Sequence, residues 1–212
     1  MKTEDLIKAI AQDGASRQIS MAARISVALL VGGIVAAALF MSVLGVRPDI
    51  IEALQTWRFD IKVAIVLVSV GIAPRATYEL TRPDADTRRA LLAFAAPLTL
   101  LAVMVACELI IAPMHDWMGR AIGTNSRLCL LSIATLSIAP LVALLLALRA
   151  GAARSPPLAG AAAGLLAGGL AATLYATHCP DDSPLFVALW YIPAIAFVAA
   201  MGAAAGSRLL RW

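Results

Sequence analysis

Uncharged apolar stretches alternate with short polar connections along the chain. No charged residue lies between Arg24 and Arg47, and this run predicts a first helix from Ile25 to Leu44. A second run extends from Trp57 to Ala73, with Asp60 and Lys62 in its first turns and Pro74 and Arg75 closing it. A third, Ala90 to Ala112, is interrupted only by Glu108; three more follow at Leu128–Leu148, Leu158–Thr177 and Pro184–Gly206. A bilayer core of about 30 Å is crossed by about 20 residues of helix. The pattern therefore predicts an all-α integral membrane bundle of six transmembrane helices over residues 24–212. The preceding residues, 1–23, form a short cytoplasmic segment with one amphipathic helix.

Composition agrees. Hydrophobic residues make up 61% of the 212 and charged residues 14%, against roughly 45–50% and about 25% in soluble domains. This excludes an ordinary water-soluble enzyme, and it excludes disorder, which needs low hydrophobicity and high net charge. The net charge of +4 reads as topology rather than nucleic-acid binding. With six spans, 12 of the 17 Lys and Arg fall on the side of the termini, and Arg47, Arg58, Lys62, Arg120 and Arg127 on the other. Positive residues stay inside, so both termini are expected on the cytoplasmic side. A cleaved leader is not expected, because the first apolar run is too long for a signal-peptide core.

Within the first 23 residues, Thr3, Glu4 and Asp5 resemble a helix start and Gly14 a stop. Leu6, Ile7 and Ile10 share one face. A helix this short needs a surface to pack on. Because Glu4, Asp5 and Asp13 outnumber Lys2 and Lys8, that surface is a protein groove as readily as the membrane. Further along, Gly160, Gly164 and Gly168 repeat at every fourth position, as do Gly202 and Gly206. Such spacing lets helix backbones approach closely in lipid. It serves packing within the bundle, with a homodimer face as the alternative.

Candidate chemistry concentrates at the outer rim. Helix arithmetic from the Leu148–Leu158 turn puts Cys129 and Cys179 at nearly the same depth, about 29 and 32 Å up. A disulfide is feasible but depends on helix rotation. The pair, with His178, is also a soft ligand set for a transition metal, although no CxxC or HxxxH spacing supports it. Two small buried hydrophobes is the third reading. Cys107, about a turn deeper, reads as packing. Glu108 at membrane depth needs a partner, and Lys62 lies at comparable depth, so these two are expected to form an intramembrane ion pair. No nucleophile set, phosphate loop or catalytic carboxylate pair is visible, and no constitutive cofactor is expected.

Five stretches read together resemble one family: MKTEDLIKAIAQD, LGVRPDIIEAL, TRPDADTRR, the long tract from APLVALLLALRAG through LYATHCPDDSPLFVALWY, and the closing RLLRW. They are similar to the NrsF-type membrane-bound negative regulators of sigma F, with LYATHCPDDSP the most specific motif. The resemblance implies an inner-membrane anti-sigma factor that sequesters an extracytoplasmic-function sigma factor. It also implies two periplasmic cysteines, matched here by Cys129 and Cys179, that sense metal or oxidative stress and release the sigma factor. The runner-up class is a small transporter or thiol oxidoreductase. It lacks the second outer cysteine pair or the inverted repeats that such proteins need.

Overall fold

The computed structural model describes residues 19–82, 84 and 86–210, and among these all regular structure is helical. The expected contacts of Leu6, Ile7, Ile10, Glu4, Asp5 and Asp13 lie outside the described residues. Seven longer helices build the bundle: α1 (Met21–Val43), α2 (Trp57–Leu80), α3 (Ala95–Ile111), α4 (Ser126–Leu136), α5 (Ile138–Leu148), α6 (Pro156–Ala176) and α7 (Ile192–Leu209). Ser20 caps α1, its hydroxyl accepting from the Ala23 N–H at 3.2 Å, so the helix starts a turn before the predicted Ile25.

Four of the six expected spans are long and apolar enough to cross a membrane: Met21–Val43, Met114–Leu148, Pro156–Ala176 and Pro184–Leu209. They make the chain a membrane protein by length and composition. The other two differ from expectation for identifiable reasons. α2 runs straight through Pro74 and gains two turns, because Ala73, Ala76, Thr77 and Leu80 bury a continuous face beyond it. The third run is shorter than predicted. Residues Thr87–Leu92 form a separate short helix, and α3 starts only at Ala95, with Pro97 in its first turn where no N–H is needed.

Prolines also shape the remaining helices. α4 and α5 are divided at Ser137, three residues before Pro140. The sixth run opens with one turn, Pro184–Phe186, and then a π turn, Val187–Tyr191, in which the Ile192 N–H reaches back to the Val187 carbonyl. Pro193 follows at once, and its missing N–H would have left a gap in a regular ladder. The π turn rotates Tyr191 into the core, where it is 1% exposed.

α6 is the central helix. Thirteen of its 21 residues are buried, and it packs on α7, α2, α4 and α5, while α1 lies along α5. Glycine makes the closest approach. A Cβ on Gly160 would collide with the Gly202 carbonyl oxygen, one on Gly202 with that of Gly160, and one on Gly206 would sit 2.7 Å from the Pro156 oxygen. Both glycine series thus meet each other inside one chain. Gly160→Ala is expected to force α6 and α7 apart and destabilise the bundle by about 1–3 kcal/mol. Gly71→Ala, with nothing within 4 Å of the added carbon, should be neutral or slightly stabilising. Thermal unfolding in detergent micelles compares the two.

Two apolar layers fill the bundle. One gathers Ile25, Leu80, Leu144, Leu148, Ala163 and Leu166 near the arginine-rich end. The other surrounds the cysteines and receives a side chain from almost every long helix: Phe40, Ile65, Leu101, Cys129, Tyr175 and Ala194 from α1, α2, α3, α4, α6 and α7.

Candidate functional site

The segment Thr177–Ser183 joins α6 to the next helical turn and is the hub of the cysteine-bearing rim. Pro180 stops it from continuing α6, and Ser183 caps the turn that Pro184 begins, its hydroxyl accepting from the Leu185 N–H at 3.2 Å. In between, its residues bind separate parts of the molecule. The Thr177 carbonyl accepts from the Arg47 N–H at 3.1 Å. His178 Nδ1 lies 3.0 Å from the Gly45 carbonyl; a carbonyl only accepts, so Nδ1 carries the proton. The Cys179 carbonyl accepts from Lys62 Nζ at 2.8 Å and from the Arg47 guanidinium at 3.4 Å. Asp181 accepts from the backbone N–H groups of Thr124 and Asn125 at 3.1 and 3.0 Å. Asp182 pairs with Lys62 and, at 2.9 Å, with Arg47. Ser183 donates its hydroxyl to Glu108 at 2.7 Å.

The intramembrane pair expected from the sequence is not the one formed. Lys62, 1% exposed, pairs with Asp182, whereas Glu108, equally buried, meets Arg120 at 3.2 Å and Arg58 at 3.6 Å. The reason is topological. The short helix Trp117–Ile122 packs on the Pro184–Phe186 turn and delivers Arg120 to Glu108, while the hub loop drops Asp182 onto Lys62. Both choices satisfy a buried charge with a partner from a nearby loop. Arg47 and Asp182 carried no distinct signal in the sequence beyond lying in the two most family-like outer segments. Arg47 also forms a bidentate pair with exposed Asp49 at 2.6 and 2.8 Å. That hydrogen bonding holds the Asp49 carboxyl down at about 2.

Cys129 and Cys179 are brought into one apolar pocket, each with no exposed surface, and both are free thiols. Tyr175, Phe186 and Tyr191 wall the pocket, with the tyrosine rings 6.0 Å apart and the Phe186 ring 6.3 Å from Tyr191. The hydroxyls of Tyr175 and Tyr191 are buried beside the thiols without a hydrogen-bond partner among the described residues; nothing in their spacing marks them in the sequence. Burial pushes the Cys179 thiol up from its ordinary value, with Lys62 opposing. The expected ligand set of Cys129, Cys179 and His178 is not assembled: His178 is turned to Gly45. Among the described residues no three His, Cys, Asp or Glu side chains are grouped to hold a metal ion. Cys107 lies half-buried on α3, outside the pocket cluster.

Apolar helices of spanning length, tied at one rim by a single polar loop, define a helical membrane protein. Residues 10–212 match the family described as negative regulator of sigma F, NrsF. The chain is 36% identical to the probable anti-sigma-F factor NrsF of Azospira oryzae and 35% identical to the anti-sigma-F factor NrsF of Caulobacter vibrioides, in each case over 100% of both chains. No solved structure matches. The chain belongs to the NrsF family of anti-sigma-F factors, and its role is regulatory rather than catalytic.

Proposed function

We infer that this anti-sigma factor spans the bacterial inner membrane six times with both termini in the cytoplasm. It holds an extracytoplasmic-function sigma factor there and releases it when Cys129 and Cys179 meet a thiol-reactive signal, a soft metal ion or an oxidant, at the periplasmic rim. The observation that carries the sensing part is the shared pocket: the two thiols lie in a sealed apolar layer into which six of the seven long helices send side chains. A close-packed layer does not deform smoothly but shifts between discrete arrangements. A metal or a new bond between the sulfurs therefore has a route to every helix it touches. The expected route ends in α2, which begins beside Lys62 at the thiol rim and ends at Leu80 among the arginines.

On the cytoplasmic side, the apolar face of Leu6, Ile7 and Ile10, framed by Glu4 and Asp5, is proposed to seat on the sigma factor as a helix in a groove. Co-purification from detergent extracts tests this. The full chain should bring down the sigma factor, and a chain lacking residues 1–18, or carrying Leu6→Ala with Ile10→Ala, should lose at least nine-tenths of it while still inserting in the membrane. Full retention by the truncated chain would move the contact to the Arg75–Arg89 connection.

A further inference from the structure

The carboxylate of Asp181 sits between the Cys179 loop and the start of the helix that carries Cys129. On one side it accepts the N–H groups of Thr124 and Asn125, together with the Thr124 hydroxyl and the Asn125 amide. These groups lead directly into α4, whose first full turn carries Cys129, the Cys129 N–H closing onto the Asn125 carbonyl at 2.8 Å. On the other side Asp181 is two residues from Cys179, whose sulfur lies 3.9 Å from the Asp181 carbonyl and 4.0 Å from its carboxylate. The turn that receives it is built around it. Gly123 has φ +57°, and a Cβ there would sit 2.8 Å from the Asp181 carboxyl carbon and 2.5 Å from the Phe186 ring.

We propose that Asp181 is the positioning residue of the thiol pair: its carboxylate latches the Cys179 loop to the start of the Cys129 helix and keeps both sulfurs closed and unreactive. This rests on the reading of Cys129 and Cys179 as the sensor and names what regulates them. Two effects act in the same direction. As a latch, Asp181 ties the loop and α4 with charge-assisted hydrogen bonds, each stronger than a neutral one. As a charge, it faces the Cys179 sulfur at 4.0 Å and is itself held by the positive start of α4. Among the described residues, the other titratable groups that face the two sulfurs are Lys62 from α2, the Tyr175 hydroxyl from α6 and the Tyr191 hydroxyl from the π turn.

The test is alkylation by N-ethylmaleimide of the full chain in detergent micelles, without inducer or sigma factor, read separately for each cysteine by mass spectrometry. In Asp181→Asn, Cys129 and Cys179 should be alkylated about tenfold faster at neutral pH. The rate at Cys107 should not change. Gly123→Ala, which displaces the carboxylate but keeps its charge, should speed both thiols as well and supplies the answer if the Asn variant fails to accumulate. Unchanged rates at Cys129 and Cys179, or a parallel rise at Cys107 that signals general loosening, would overturn the proposal. Because the measurement involves no induction, its failure is separate from that of the sensor reading, which is judged by the induction response of the cysteine variants.

Discussion

Lys62→Met is expected to destabilise the bundle by about 3 kcal/mol, the lower end of the range for removing one partner of a buried pair. Lys62 is 1% exposed, donates to the Cys179 carbonyl at 2.8 Å and is the direct partner of Asp182. Without it, Asp182 keeps Arg47, at 2.9 Å, which is why the cost sits at the low end. Adding Asp182→Asn removes the stranded charge and should restore part of the loss. Adding Glu108→Gln should restore nothing, because Glu108 answers to Arg120, Arg58 and Ser183. Thermal unfolding of the three variants in micelles reads the cycle, and rescue by Glu108→Gln rather than by Asp182→Asn would return the pairing to the one predicted from sequence.

The second large effect is on signalling. Cys129→Ala or Cys179→Ala should leave sigma-F-dependent transcription repressed and abolish its rise on exposure to a soft metal or an oxidant. Cys107→Ala should respond like the parent. Alanine is the better probe than serine, since it adds no hydroxyl that could hydrogen-bond the Tyr175 or Tyr191 hydroxyls beside the sulfurs. A transcriptional reporter compares the three variants. An undiminished response in both pocket variants would end the sensor reading, and loss in Cys107→Ala alone would move it to α3.

Much of this architecture was legible in the residues. Six apolar runs, four free of charge and two carrying Asp60, Lys62 and Glu108, mark where the long helices lie, because lipid leaves few ways to hide a charge and each exception needs a local partner. The level placement of Cys129 and Cys179 followed from helix rise alone, and they do share a pocket. The glycine spacing marked a close approach but not its partner. Only the folded chain pairs Gly160 with Gly202, since a small-residue stripe carries no identity of the helix it meets. Helix ends were the least legible. Pro74 reads as a stop, yet burial of Ala76, Thr77 and Leu80 outweighs the one hydrogen bond it removes. The partners of Lys62 and Glu108 are not legible in the sequence for a related reason. Depth arithmetic puts Lys62 and Glu108 level, but the outer connections supply their partners, Asp182 from a loop and Arg120 from the short helix Trp117–Ile122, and the paths of connections leave no periodic trace. His178 seemed a ligand by proximity in sequence, while the backbone turns it toward Gly45.

The most direct test of the central claim is sigma-factor retention on the purified complex. The full chain with bound sigma factor, held on detergent-equilibrated resin, is treated with a soft metal ion such as cadmium, and the released sigma factor is measured for the parent, Cys129→Ala, Cys179→Ala and Cys107→Ala chains. The account predicts release from the parent and from Cys107→Ala, and full retention by the two pocket variants. Release from all four chains alike, or from none, would contradict it.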